Sequence, residues 1–173
     1  MGLDEMEKYI IEINWEGPLK IDEVIRDRGH EGDLSDSWEK CDYGVYQIYG
    51  PHIIYGKNVL LYIGQAAKET FSQRFREHRN NLLKDDNLRR IRIYLGRLKG
   101  LPKYTARDKW RRYYRDVDIV ESVLIYKYLP SYNGSRKGDY PKLYYYKKIG
   151  LVHNGSRKRL KSEDNAPKDY KKQ

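Results

Sequence analysis

The sequence is poor in cysteine, phenylalanine and methionine, and it has no long apolar run. A single cysteine, Cys41, stands among 173 residues. One thiol excludes an internal disulfide, and with it any structural zinc site needing two or more cysteines of the chain. No stretch approaches the ~18 consecutive apolar residues of a membrane span, and the acidic N-terminus does not read as a signal peptide. These absences set the expectation of a reducing, cytoplasmic setting. They also make the two Asn-Gly-Ser tripeptides, at Asn133 and Asn154, turns rather than glycan sites. Phe occurs twice and Trp three times, against 18 Tyr. Tyrosine must therefore supply most of the aromatic mass, with rings in the core and hydroxyls at wet boundaries.

Charge is plentiful but divided. Residues 1–43 hold 13 Asp and Glu against 5 Lys and Arg, a balance of −8; residues 44–173 hold 12 against 30, a balance of +18. A basic segment of that size attracts polyanions, of which a nucleic acid backbone is the commonest. A solubilising surface, or association with ribosomes or membranes, is the alternative. The length fits one compact domain with an extension or two.

Hydrophobic periodicity places the elements. Residues 7–13 read as a short strand or the start of a helix. Leu19, Ile21, Val24 and Ile25 lie on one face of a helix expected over 18–28, with Pro18 in its first turn. Residues 29–42 read as a loop. Strands are expected at 44–50 and 59–64, joined by a Pro- and Gly-containing connection, and at 90–98, where basic and apolar residues alternate. Thr70 suits the N-cap of a helix over 71–84, whose stripe is Phe71, Phe75, His78 and Leu82. A second helix is expected within 107–129, ended by Pro130, with Ile119, Val120, Val123, Leu124 and Tyr128 buried. The tail is basic and tyrosine-rich, and its last dozen residues read as disordered. The order β-β-α-β-α gives an α+β domain on a small sheet, with an acidic extension over 1–42 and a basic one over 134–173.

The chemistry-bearing residues sit near the ends of these elements. Tyr46 and Tyr62 lie on the first two strands, Arg74 and His78 at i,i+4 on the first helix, and Glu121 in a mainly apolar stretch of the second. Gly44-Val45-Tyr46, then Tyr62-Ile63-Gly64, then Phe71 to His78 with its Arg74, then Glu121 followed twelve residues on by Asn133, together resemble the GIY-YIG nuclease signature. The resemblance covers about residues 43–133. Val45 departs from the usual Ile, and the interval from Gly64 to Arg74 is a little long.

What the resemblance implies is specific. The fold would be a small three-stranded antiparallel sheet flanked by helices. The activity would be metal-dependent hydrolysis of DNA phosphodiesters. Glu121 would hold one Mg²⁺ per active site, with Mn²⁺ able to substitute. Arg74 would bind phosphate oxygens with its planar fork of donors. Tyr46 is the implied general base, Tyr62 places water or phosphate, His78 shares that work, and Asn133 braces the site. A phenol near pKa ~10 needs neighbouring cations to serve as a base. Each residue also has a plainer reading: strand packing for the tyrosines, a solvated basic face for Arg74 beside Arg76 and Arg79, a half-buried satisfied His78, an ion-paired Glu121, and an Asn-Gly turn at Asn133.

The short chain with its own extensions is most similar to the restriction endonucleases of the family, which act as homodimers on short symmetric sites in double-stranded DNA. Lys103, Arg107, Lys109, Arg111 and Arg112 before Glu121, and Arg136, Lys137, Arg157, Lys158 and Arg159 in the tail, are the expected DNA contacts. A standalone repair or nonspecific nuclease, and a catalytically idle nucleic-acid-binding module, are the alternatives.

Overall fold

The computed structural model describes residues 9–26, 42–81, 89–99, 107–134 and 149–165. Among them run β1 (Tyr9–Leu19), α1 (Ile21–Ile25), β2 (Gly44–His52), β3 (Gly56–Ala66), α2 (Phe71–Asn81), β4 (Arg92–Leu98), α3 (Arg107–Tyr128), β5 (Ile149–Gly155) and β6 (Glu163–Asn165). The strands form one mixed sheet in the order β3-β2-β4-β1-β5-β6, strongly curled into a half-barrel.

The expected three-stranded antiparallel sheet is thereby corrected to six strands. Strands β3, β2 and β4 are present and antiparallel, with Tyr46 opposite Gly64 and Ile48 opposite Ile93. However, β4 is not an edge. Its outer side pairs with β1, Ile13 opposite Leu98 and Trp15 opposite Gly96. Strand β1 in turn runs parallel to β5, which carries β6. The reason is visible in β1 itself: Ile11, Ile13 and Trp15 are buried while Glu12, Asn14 and Glu16 between them are not, the period of two that half-buried strands require. Pro18 is expected in the first turn of a helix, yet the strand continues through it to Leu19, opposite Ile93. The helix expected over 18–28 shrinks accordingly to Ile21–Ile25, with Ile21 and Val24 buried.

The two faces of the sheet carry separate cores. Val45, Tyr49, Ile63 and Trp15 pack against α3 through Val117, Val120, Val123 and Leu124. Tyr46, Ile48, Leu61 and Leu95 pack with α1 and α2 through Val24, Phe71 and Phe75. Alternation along β2 thus sends Tyr46 towards α2 and its neighbours towards α3. Helix α2 begins as expected: Gln73 N–H donates to Thr70 Oγ1 (3.2 Å), and Thr70 N–H donates to Gln73 Oε1 (2.8 Å). This reciprocal cap satisfies two donors at the helix start. Helix α3 stops at Tyr128, two residues before Pro130.

A buried polar cluster ties the C-terminal strands to the rest. Asp164 on β6 accepts from Lys127 Nζ (2.6 Å) and Tyr128 Oη (2.7 Å) of α3. His153 Nε2 on β5 lies 3.3 Å from Oδ2, the oxygen that also accepts from Tyr128. Trp15 Nε1–H donates to His153 Nδ1 (3.0 Å), which places the imidazole's own proton on Nε2, facing the carboxylate. Burial alone would raise the Asp164 pKa, but the hydrogen bonds from His153, Lys127 and Tyr128 outweigh it and hold the carboxyl below its usual value.

Candidate active site

The site is built on the β2–β3 pair. Gly64 stands opposite Tyr46, and a Cβ there would lie 2.3 Å from the Tyr46 hydroxyl oxygen and 2.6 Å from the Tyr62 ring. Only a residue without a side chain lets the Tyr46 ring lie across β3. Gly44 answers a different demand: its φ of 152° is open to glycine, and a Cβ would sit 2.1 Å from the Gly96 carbonyl oxygen on β4. The Tyr46 and Tyr62 rings stack with centroids 6.1 Å apart, and Phe75 meets Tyr46 edge-on at 4.8 Å.

Helix α2 delivers Arg74 and His78 from one face, as the i,i+4 spacing predicts. The Tyr46 hydroxyl and His78 Nε2 are hydrogen-bonded at 2.5 Å. Arg74 Nε donates to the same hydroxyl at 3.4 Å. Arg74 Nη1 is also held by Glu69 (3.2 Å) and Glu77 (2.9 Å), which fix the direction of the guanidinium while leaving the side chain one-third exposed to the cleft.

Burial, followed by the Arg74 charge, lowers the His78 pKa to about 4. The imidazole is therefore neutral at pH 7, and its Nε2 can accept the Tyr46 proton. Tyr46 moves the other way: burial pushes its phenol far above the usual value, and Arg74 opposes this only in part. A free Tyr46 phenolate is disfavoured, contrary to the expectation that neighbouring cations would lower it. Accepting a proton from water at this oxygen requires its own proton to pass to His78 in the same step.

The His78 shift is also a statement about stability. The folded chain resists protonation down to about pH 4, whereas the unfolded chain takes up a proton near pH ~6.5. The stabilising contribution is complete above the unfolded value and is lost as pH falls towards the folded one. Wild-type protein should lose about 2 kcal/mol from this group between pH 7 and pH 5. In urea titrations His78→Gln should flatten that fall; an unchanged slope would show that His78 is not the titrating group.

Glu121 reaches the site from α3 and is almost wholly buried. The Gln65 amide, on the residue after Gly64, donates to Glu121 Oε2 (3.1 Å) and to Asp118 Oδ1 (3.3 Å). The Glu121 charge is close enough to bear on the Tyr46 phenol. Asn133 clamps β3 between Tyr62 and Gly64: Ile63 N–H donates to its Oδ1 (3.0 Å), and its Nδ2 donates to the Ile63 carbonyl (2.8 Å). Ser131 and Tyr132 N–H donate to the Leu60 and Leu61 carbonyls. The segment after Pro130 thus covers the outer edge of β3, and Asn133 braces the strand that carries Tyr62.

Arg74, Gln65 and Asp118 line a cleft of about 540 Å³ together with Lys68, Glu69, Arg115 and Tyr114; Tyr46, His78 and Glu121 lie buried behind them and do not line it. Gln65 and Asp118 were not singled out from sequence, although Asp118 lies one helical turn before Glu121. Lys68 and Arg115 are the cleft's additional cations. Of the residues expected to touch DNA, Arg111 and Arg112 are exposed near the start of α3, with Arg112 over the Tyr9 ring. Lys158 and Arg159 are exposed after β5, and Arg157 donates to the Leu160 carbonyl. Neither group lines this cleft. Lys103, Arg136 and Lys137 lie outside the described residues, as do the side chains of Arg107 and Lys109.

No protein-family model, curated protein or solved structure matches this chain. The reading of the site therefore rests on its own residues and their geometry.

Proposed function

We propose that this chain is a metal-dependent endonuclease that hydrolyses phosphodiester bonds in DNA. The observation that carries the reading is the hydrogen-bonded set of His78, Tyr46 and Arg74 beside a buried Glu121, in a chain whose residues 44–173 carry a balance of +18. Packing alone does not demand an imidazole, a phenol and a guanidinium joined at one buried oxygen, with the guanidinium reaching a cleft. The resemblance to GIY-YIG nucleases, carried by these same residues, supports the same reading.

In-line attack on a phosphodiester needs a deprotonated water, stabilisation of the added negative charge and help for the leaving oxygen. Tyr46 takes the water proton as its own passes to neutral His78. Arg74, aimed by Glu69 and Glu77, meets the phosphate oxygens with its remaining donors. Tyr62, stacked on Tyr46, helps to place the water or phosphate. Lys68 and Arg115 hold neighbouring phosphates.

Among the described residues no group of three or more His, Cys, Asp or Glu forms a metal cage. The oxygens of Glu121 and Asp118 converge on the Gln65 amide, and such a sparse oxygen donor set suits Mg²⁺, which keeps several waters and takes substrate oxygens as further ligands. Mn²⁺ fits the same donors. When bound, the ion would supply Lewis-acid stabilisation of the charged phosphate. The narrower form of the proposal, a homodimeric restriction enzyme on duplex DNA, predicts cuts at fixed sites.

The test incubates purified protein with several long duplex DNAs, in Mg²⁺ or in EDTA, beside Glu121→Gln. Metal-dependent cutting that the variant loses while still retarding DNA is the expected result, and discrete bands would mark site specificity. Retarded but intact DNA in every lane would overturn the nuclease in favour of a binding module.

A further inference from the structure

A second cleft, of about 530 Å³, lies at the far end of the β2–β3 hairpin. It is lined by His52, Ile54, Tyr55, Leu129 and Arg159, among others, and among the described residues no carboxylate lines it. Tyr46 and His52 are six residues apart on one strand, so at ~3.3 Å per residue this cleft lies about 20 Å from the catalytic phenol. Its size is that of a small-ligand site.

The lining is unusual for a surface left to water. Ile54, Tyr55 and Leu129, with Tyr132 beside them, are each more than half exposed. The His52 ring stacks on Tyr55 with centroids 4.6 Å apart and lies 5.8 Å from Tyr132. The backbone N–H groups of Ile54 and Tyr55 donate to His52 Nδ1, so the hairpin turn itself sets the plane of the stack. Leu129 adopts φ 45°, a conformation strained for a residue with a side chain. The helix must end there because Pro130 follows, yet this strained position presents a large apolar side chain to the cleft.

Rigid aromatic rings, aliphatic walls and a guanidinium match one ligand chemistry: a flat apolar ring joined to a negative charge. We propose that this cleft takes an unpaired nucleobase of the DNA, stacked on the His52–Tyr55–Tyr132 aromatic set, with Arg159 at its phosphate. The inference rests on the nuclease reading and adds to it a preference, beside the duplex that is cut, for an unpaired nucleotide about 20 Å from the scissile bond. Stacking is the interaction by which proteins hold unpaired bases, and every base has a face to offer.

The experiment measures binding of the full chain, in EDTA, to a blunt duplex and to the same duplex with a short single-stranded tail bearing 2-aminopurine. Wild-type protein should prefer the tailed DNA by about tenfold or more, the range a stacked base supplies, and should quench the probe. Tyr55→Ser combined with Tyr132→Ser should abolish both effects. Both side chains are exposed, and an unchanged melting curve would confirm that the variant folds. Equal affinity for the two DNAs, or a preference that survives the double substitution, would overturn the proposal. So would concentration-dependent dimerisation that the substitutions abolish without altering DNA preference, since a second copy would then cover this face. A tail preference in a protein that cuts nothing in Mg²⁺ would support the cleft while removing the nuclease reading, so the two fail separately.

Discussion

Arg74→Ala should lower the rate of DNA cleavage by about 10²–10³-fold or more, with much less effect on DNA affinity. The magnitude follows from the position of Arg74. Its Nε meets the Tyr46 hydroxyl, and Glu69 and Glu77 anchor one end of the guanidinium, leaving its other donors for phosphate. Preorganised donors aimed at charge that develops in the transition state are worth more than those that bind the ground state. Affinity is spread over many phosphate contacts, so one cation removed from the cleft costs little of it. Arg74→Lys should not restore the rate, because an ammonium cannot hold the hydroxyl, both carboxylates and a phosphate from one planar group. Single-turnover cleavage and filter binding on the same protein separate the two effects. Near wild-type cutting by Arg74→Ala would remove this residue from the mechanism.

Asp164→Ala should destabilise the protein by about 1–3 kcal/mol, the cost of leaving the Tyr128 hydroxyl and His153 Nε2 without the acceptor they face. Lys127, Tyr128 and His153 all face that carboxylate. For a chain of this length, each kcal/mol corresponds to about 2–4 °C in Tm, so a fall of roughly 5 °C is expected in calorimetry. The sign with pH follows from the lowered carboxyl pKa. The contribution is complete above the unfolded value near ~3.9 and is lost as pH falls through the lower folded one. A change of less than about 1 kcal/mol at neutral pH would show that β5 and β6 add little to the stability of the sheet.

The two predictions fall on residues of different legibility. Arg74 was readable because its signal is local: it stands four positions before His78 on one helix, and the flanking triplets of β2 and β3 lie within a short stretch of chain. Asp164 was not. It sits in a polar run, Ser-Glu-Asp-Asn, with no periodicity of its own, and its partners are on α3 and β5. Gln65 escaped notice for a related reason. Nothing in Ile-Gly-Gln-Ala marks the amide as a bridge to Glu121 and Asp118; that contact exists only once α3 crosses the β3 face. The lowered His78 pKa and the raised Tyr46 pKa likewise depend on burial, which spacing does not report. The basic residues of the tail were legible as charge, but Arg159 opens on the second cleft rather than on the one that Arg74 lines.

By itself the sequence determined the α+β class, the hairpin of β2 and β3, the cap at Thr70, the end of α3 before Pro130, and the residue types proposed for the site. Those are consequences of periodicity, φ restriction and capping, all of which act within a few residues. Only the tertiary structure decided that the sheet has six strands, that a segment from each end of the chain completes it, and that Gln65 joins the two carboxylates. Strand order and register are set by which distant edges satisfy one another's hydrogen bonds and bury one another's apolar faces, and that pairing is not encoded in any short stretch of chain.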